Sequence, residues 1–195
     1  MMGKWAALCL KIFLQTKIIV KGRDNIIKNE KFFIACSHQS MFETFYLQTI
    51  FNSPIFILKK ELIKIPIFGW YLKKIGSISI NRNKVSKDNL GLIDKIKNSM
   101  NNSQRPLIIF PQGTRVLPDE KPPFKKGVGR IYDELKNNCQ PVAINSGNVW
   151  PKNGRMYSNK TITISILPSI KPGMLPTDFV SYLEDKIYNE LNSMN

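Results

Sequence analysis

The stretch Phe32-Phe-Ile-Ala-Cys-Ser-His-Gln-Ser-Met-Phe-Glu43 contains the change of pattern on which the fold prediction rests. Its first five residues, 32–36, are an apolar run of β-favouring side chains, which predicts a short strand. From Ser40 to Phe51 the apolar residues follow a helical pattern, and the sequence Asn-Ser-Pro at 52–54 ends it. The stretch therefore predicts a strand that leads through a short turn into a helix.

The same alternation continues on both sides of this unit. Further strands are predicted at 17–22, 55–58, 77–80, 107–110, 142–144 and 162–166. Helices are predicted at 85–100, 127–137 and 177–193. Strands that alternate with helices indicate an α/β sheet with helices on its faces. No repeat or linker divides the chain, so we expect a single domain.

Size and composition agree with one folded domain. The chain has 195 residues and a mass of 22.4 kDa, with 43% hydrophobic and 22% charged residues, which excludes a disordered, collagen-like or multi-span membrane protein. Its three cysteines, Cys9, Cys36 and Cys139, have no paired spacing. This pattern argues against a disulfide framework and a zinc ribbon, and it favours a reducing compartment.

The chain is strongly basic, with 29 Lys and Arg residues, 14 Asp and Glu residues, and a formal charge of +15. Such an excess favours polyanionic partners, which include nucleic acid, anionic lipid and phosphorylated substrates. Lys, Asn and Ile are also abundant, as an AT-rich coding bias would produce without selection for binding. Composition alone leaves both explanations open.

Two segments have the character of a membrane interface. Residues 1–16 form an amphipathic segment in which Lys11 interrupts the apolar stretch well before the roughly 20 residues that a spanning helix needs. No small-residue cleavage site follows, so we do not expect a signal peptide. Residues 59–74 combine Phe68, Trp70 and Tyr71 with five lysines. Each segment either lies on a bilayer or has an ordinary structural role, as a helix docked on the core or one with a solvated lysine face.

His38, the single histidine of the chain, precedes Glu43 by five residues at the predicted strand-to-helix turn. One histidine excludes the paired-histidine zinc sites, and we predict no metal site. The turn can fold the imidazole over the carboxylate, which would prepare His38 to act as a general base. Alternatively, Ser40 and Glu43 form a capping box, in which Glu43 serves only the helix N-terminus. The spacing is compatible with both roles.

Two further segments place polar residues after predicted strands. Phe110-Pro-Gln-Gly-Thr-Arg115 offers backbone amides at Gly113, a hydroxyl at Thr114 and a guanidinium at Arg115, a combination suited to phosphate. A turn with a surface arginine is the alternative. Gly76-Ser-Ile-Ser-Ile-Asn-Arg82 is a strand that delivers an arginine at its end. Loops that leave strand ends commonly bind ligands in α/β sheets.

Four motifs follow one another in an order known from one enzyme family. The chain resembles the lysophospholipid acyltransferases, a family of glycerolipid acyltransferases. Its motifs are His-x4-Asp, Gly-x-Ile-x-x-x-Arg, Phe-Pro-Glu-Gly-Thr-Arg and an apolar strand with a central proline. Residues 38–43, 76–82, 110–115 and 141–146 match them in turn, and the resemblance spans residues 17–170.

The resemblance implies an α/β fold with a central mixed sheet covered by helices, in which residues 17–195 form the acyltransferase domain. It implies transfer of a fatty acyl group from an acyl carrier protein or coenzyme A thioester to the sn-2 hydroxyl of 1-acyl-sn-glycerol-3-phosphate. No other cofactor is implied. His38 and Glu43 would be the catalytic pair. The implied substrate contacts are Arg82, Gln112, Gly113, Thr114 and Arg115.

Two residues depart from the family pattern. Glu43 replaces an aspartate, which keeps the charge, and Gln112 replaces a glutamate, which keeps a hydrogen-bonding side chain of similar shape. The resemblance further implies a peripheral protein on the cytoplasmic face of the cytoplasmic membrane. Acylation of another lyso-lipid, such as a lyso-ornithine lipid, is one alternative. A non-catalytic basic protein that binds membrane or nucleic acid is another, although no nucleic-acid module is visible and we expect no such partner.

Overall fold

The computed structural model of the chain describes residues 2–66, 68–80 and 91–194. Its strands are β1 Lys17–Lys21, β2 Phe32–Cys36, β3 Ile55–Lys59, β4 Ile78–Ile80, β5 Leu107–Ile109, β6 Asn138–Ile144 and β7 Thr161–Ile166. Its helices are α1 Met2–Leu14, α2 Phe42–Ile50, α3 Phe68–Lys74, α4 Leu92–Asn101, α5 Gly127–Leu135 and α6 Pro176–Ser193.

Most predicted elements are confirmed within one to three residues at their ends. The helix predicted at 85–100 is present from Leu92, and residues 85–90 lie outside the described residues. The strand predicted at 142–144 is longer than expected, since β6 already begins at Asn138. The main chain of Pro141 faces the end of β7, where its carbonyl accepts a hydrogen bond from Leu167 N. Pro141 lacks an N–H, but this side of its main chain does not face β2, so the hydrogen bonds between β2 and β6 are unaffected.

The strands form one sheet in the order β1-β7-β6-β2-β5-β3-β4. Neighbouring strands are parallel, except that β6 and β7 are antiparallel. The predicted α/β class with a mixed sheet and helical layers is therefore confirmed.

A hydrophobic core lies on each face of the sheet, and β2 contributes to both. Phe33 and Ala35 join the core formed with α4, α5 and α6, whereas Phe32, Ile34 and Cys36 join the core formed with α1 and α2. Successive side chains of a strand point to opposite faces, so a strand covered on both sides is apolar at every position. This is why 32–36 is a continuous apolar run.

Helix α1 lies against α2 along a narrow strip. Gly3 and Leu10 are its buried residues, and a Cβ at Gly3 would lie 2.3 Å from the carbonyl oxygen of Phe45, so the close approach requires glycine. Much of its remaining surface is apolar and exposed, including Trp5 and Phe13. No helix among the described residues combines the length and apolar character that crossing a bilayer requires.

The strand order determines which loops meet. In the sheet, β6, β2, β5 and β3 are consecutive and parallel, so their carboxyl ends lie at one edge. The loops that follow β2, β5 and β6 therefore converge there, together with the last residue of β3, Lys59. This edge holds most of the residues that the sequence singles out.

Candidate active site

His38 and Glu43 form a direct pair at this edge. His38 Nδ1 lies 3.2 Å from Glu43 Oε2, and the two side chains are 16% and 0% exposed. An ionised carboxylate only accepts hydrogen bonds, so a neutral imidazole in this position donates through Nδ1–H and has its acceptor at Nε2. This arrangement is the one that a histidine general base requires.

Glu43 also serves the start of α2. Its Oε1 accepts hydrogen bonds from the backbone of Gln39 and Ser40 at 3.1 and 2.9 Å, and from the hydroxyl of Ser146. Ser40 Oγ in turn accepts from Phe42 N at 3.1 Å. The capping box and the His–Glu pair therefore coexist: the Ser40 amide contacts both carboxylate oxygens, with Oε2 at 3.0 Å, and Oε2 also accepts from the imidazole.

The loop after β5 fixes His38 from the other side. The Phe110 ring stacks on the imidazole, with ring centroids 3.9 Å apart and planes inclined by 15°. His38 N donates to Gln112 Oε1 at 2.6 Å, and His38 O accepts from Val116 N at 2.9 Å. Side chain and main chain of His38 are thus both held by residues 110–116.

The Gln112 side chain has internal partners. It is 2% exposed, and besides accepting from His38 N it donates through Nε2 to Tyr188 Oη at 3.5 Å. Tyr188 donates to the carbonyl of Pro122 at 2.6 Å, and burial raises the pKa of this phenol to about 12, so it remains a neutral donor. These partners are those of an orienting side chain, and the predicted contact between Gln112 and substrate stays a prediction.

A cavity of about 340 Å³ opens beside His38. Thr114 and Arg115 line it together with His38 and Phe110, so the structure brings four of the singled-out residues to one place. Most of its remaining wall is apolar, comprising Phe45, Phe56, Ile57, Leu58, Leu62, Leu72 and Ile75. A space of this kind suits a ligand with a hydrocarbon portion and one anionic end.

Two of the predicted substrate contacts, Gly113 and Arg82, are not among the described residues that line this cavity. Gly113 has φ +75°, the left-handed region that glycine favours, and its N–H donates to Phe110 O at 2.9 Å to close the turn. It lines a second cavity of about 320 Å³ beyond Phe110, where Lys125 and Arg130 also lie. Arg82 falls outside the described residues, so its predicted substrate contact stays a prediction.

Two residues at the site were given no role in it by sequence reasoning, although Lys59 belongs to the lysine-rich segment 59–74. Lys59 lines the His38 cavity at the end of β3, and Ser146 binds Glu43 from the end of β6. Ser146 lies within the fourth family motif, and this was its only sequence signal. Lys59 has no local signal, because its position depends on β3 lying next to β5.

Cysteine and metal chemistry have little support at this edge. Burial, and secondarily the charge of Glu43, raises the pKa of the Cys36 thiol well above its ordinary value, and burial does the same for Cys139. Both thiols therefore stay protonated and are poor nucleophiles. Among the residues that the structure describes, no group of three or more His, Cys, Asp or Glu side chains is arranged to hold a metal ion.

Several known enzymes are similar in sequence to this chain. The 1-acyl-sn-glycerol-3-phosphate acyltransferase of Pseudomonas aeruginosa is 32% identical over 153 residues, which cover 77% of this chain and 58% of that protein. The enzyme of the same name from Helicobacter pylori is 33% identical over 173 residues, covering 82% of this chain and 71% of that protein. The one from Saccharomyces cerevisiae is 27% identical over 187 residues, covering 93% and 61%.

The chain thus spans about three fifths of the length of the Pseudomonas and yeast relatives, at 58% and 61%. A solved structure is also similar: the 1-acyl-sn-glycerophosphate (LPA) acyltransferase PlsC from Thermotoga maritima. It superposes with a TM-score of 0.80 at 25% identity and covers 98% of this chain and 76% of that one. The model of the Acyltransferase family matches residues 17–145, which include His38, Glu43 and the segment 110–115. The chain belongs to the acyltransferase family.

Proposed function

We propose that this protein transfers a fatty acyl group from a thioester to the sn-2 hydroxyl of 1-acyl-sn-glycerol-3-phosphate and so produces phosphatidic acid. The observation that carries this proposal is the His38–Glu43 pair beside an apolar cavity that also contains Arg115. The names of the relatives point to the same acceptor. This acceptor fits the cavity. Its acyl chain matches the apolar wall, and its phosphate matches the positive charge of Arg115.

The chemistry follows from the tautomer of His38. Nε2 accepts the proton of the substrate hydroxyl as its oxygen attacks the thioester carbonyl, and Glu43 stabilises the imidazolium that forms. The tetrahedral intermediate then collapses, the carbon–sulfur bond breaks, and the leaving thiolate takes the proton back from His38. One ester forms, one thioester is consumed, and the enzyme returns to its starting state without a covalent intermediate.

Cationic residues at the cavity would hold the phosphate of the acceptor. Arg115 can bind two phosphate oxygens with its planar guanidinium, and Thr114 adds a hydroxyl. Lys59 lines the same cavity and supplies a second positive charge. The Gly113 amide and Arg82 remain further candidates from the sequence. Two cations beside the base favour a phosphate-bearing lyso-lipid over a zwitterionic one.

The acyl donor would be an acyl carrier protein or a coenzyme A thioester, with no other cofactor. The apolar wall formed by Phe45, Phe56 and Leu72 offers space for hydrocarbon next to the base. A thioester needs no prior activation, since its thiol is a good leaving group. We therefore also expect acyl transfer to continue in the presence of a metal chelator.

Peripheral attachment to the cytoplasmic face of the membrane would bring the site to its lipid substrate. On α1, Trp5 is 63% and Phe13 78% exposed, and Trp70 on α3 is exposed as well. Apolar rings of this kind insert at the headgroup level, and the formal charge of +15 attracts anionic lipid. Aromatic insertion and charge thus act together.

Acyl transfer by the purified protein tests the proposal directly. Release of free thiol and formation of phosphatidic acid would be measured with either donor, with lyso-ornithine lipid as the competing acceptor and the His38→Ala protein as control. Restored phosphatidic acid synthesis in a conditional acyltransferase-deficient host would support the same conclusion. Acylation of the ornithine lipid alone would change the substrate, and no acyl transfer to either lipid would leave the non-catalytic alternative.

A further inference from the structure

Ser146 contacts the carboxylate of the catalytic pair from the opposite side to the imidazole. Its hydroxyl donates to Glu43 Oε1, while His38 is bound at Oε2. Ser146 and Glu43 are both 0% exposed, so water cannot replace this donor if it is lost. We propose that Ser146 is a positioning residue for the acyl transfer proposed above, because it sets the carboxylate that orients and charges His38.

The backbone places Ser146 there with little freedom. Ser146 begins the 3-10 turn Ser146–Asn148 directly after β6, and the next residue, Gly147, donates its N–H to Gln39 Oε1 at 3.1 Å. A Cβ at Gly147 would lie 2.9 Å from that same oxygen and 3.0 Å from Gln39 Cβ, so a larger residue here would have to displace the Gln39 side chain. The loop and the turn therefore form a fixed pair of surfaces.

The Ser146 hydroxyl differs in kind from the other donors to Glu43. The amides of Gln39 and Ser40 belong to the same turn as the carboxylate and fix it relative to α2. Ser146 comes from 103 residues further along the chain and ties the carboxylate to the sheet. Without it, Glu43 would keep its cap on the helix while its orientation toward His38 became less well defined.

Ser37 provides a matched control for the purely structural part of this contact. Its Oγ donates to Ile144 O at 3.2 Å and accepts from Ile144 N at 2.9 Å, so it also joins the loop after β2 to β6. Ser37 is equally buried but has no hydrogen bond to Glu43 among the described contacts. Ser37→Ala therefore weakens the connection between the loop after β2 and β6, but it removes no hydrogen bond to the Glu43 carboxylate.

The test compares two variants of nearly identical shape. Ser146→Thr keeps the hydroxyl and Ser146→Val replaces it by a methyl group, so the difference between them isolates the donor. We expect kcat for thiol release from acyl-coenzyme A to be about tenfold lower for the valine variant, with the KM for both substrates unchanged. Equal kcat values for the two variants would overturn the inference.

The kcat values of Ser146→Thr and Ser146→Val are then measured in the Glu43→Gln protein, at high enzyme concentration. A neutral amide cannot stabilise imidazolium, so the Thr/Val ratio of kcat should fall to near one, whereas the effect of Ser37→Ala should be the same in both backgrounds. A Thr/Val ratio that persists without the carboxylate would show a merely structural role. If both larger side chains unfold the protein, Ser146→Ala and Ser37→Ala carry the comparison, with melting temperatures measured for each.

Two failures are distinguishable. If the unaltered protein shows no acyl transfer, the proposed function fails, and the role of Ser146 fails with it. If the unaltered protein is active and the Thr/Val ratio is near one, only the role of Ser146 is overturned. The two results therefore distinguish an error in the proposed function from an error in the role of Ser146.

Discussion

The ring of Phe110 lies flat on the imidazole of His38, with centroids 3.9 Å apart and an interplanar angle of 15°. This stack fixes the ring plane of His38, while Glu43 fixes its rotation through Nδ1. Two constraints from different parts of the chain thus hold the imidazole at the wall of the cavity. Phe110 also lines that cavity and covers one face of the imidazole.

Replacing Phe110 tests the importance of the stack. Phe110→Leu should lower kcat about 3- to 10-fold, since aromatic stacking contributes roughly 0.5–1.5 kcal/mol beyond area burial. Phe110→Tyr keeps the flat ring and should retain most of the activity. The measurement is steady-state acyl transfer with a melting curve for each variant. Equal activity of the leucine and tyrosine variants would contradict an orienting role for the ring.

The His38–Glu43 pair allows catalysis to be separated from capping. His38→Ala should reduce acyl transfer by about 10²- to 10⁴-fold without loss of the fold. Glu43→Gln should lose most of the activity as well, although its amide oxygen still accepts the hydrogen bond from Ser40 N that caps α2. Circular dichroism checks the fold in each case. Near-native turnover of Glu43→Gln would mean that Glu43 serves the helix alone.

Arg115 and Lys59 should control affinity for the phosphate-bearing acceptor. Arg115→Ala should raise the KM for 1-acyl-sn-glycerol-3-phosphate about tenfold or more, because a hydrogen bond to a charged group contributes roughly 1.5–3 kcal/mol. Lys59→Ala should act in the same direction. Lys171→Ala removes an exposed positive charge that does not line the cavity and serves as control. A raised KM for the acyl donor alone would move the phosphate site elsewhere.

Gln112 should tolerate a glutamate better than an apolar residue of its own size. Gln112→Glu keeps the acceptor for His38 N–H, so we expect it to retain most of the activity. Gln112→Met leaves that amide without a partner, which should lower the free energy of unfolding by about 1–3 kcal/mol and reduce kcat. Chemical denaturation and turnover are measured together. A fully stable, fully active methionine variant would contradict the orienting role.

The exposed rings of α1 should provide a salt-resistant part of membrane binding. Lysines near an anionic surface contribute about 1 kcal/mol each, and this attraction fades beyond a Debye length of roughly 8 Å, whereas inserted rings do not depend on salt. Replacing Trp5 and Phe13 by Ser should therefore weaken the vesicle binding that remains in high salt. Tyr182→Ser, on α6 at the opposite face of the sheet, is the control. Equal binding by both variants would contradict insertion of α1.

The local unit on which the site is built follows from residues close together in the chain. A doubly buried strand must be apolar at each position, and the box from Ser40 to Glu43 begins a helix wherever the chain places it, so 32–43 predicts strand, turn and helix. The pairing of His38 with Glu43 is likewise local, since five residues of one turn suffice to bring the imidazole to the carboxylate. The family motifs then supplied the chemistry.

The residues that surround that pair are brought there by the order of the strands. Phe110 and Gln112 reach His38 because β5 lies beside β2, Ser146 reaches Glu43 because β6 lies on the other side, and Lys59 joins the cavity because β3 follows β5 in the sheet. Strand order depends on contacts between residues that are far apart in the chain, and no local pattern specifies it. For the same reason the burial of Gln112 and the hydrogen bond from His38 N to its side-chain oxygen could not be predicted from the sequence, because both depend on β5 lying beside β2.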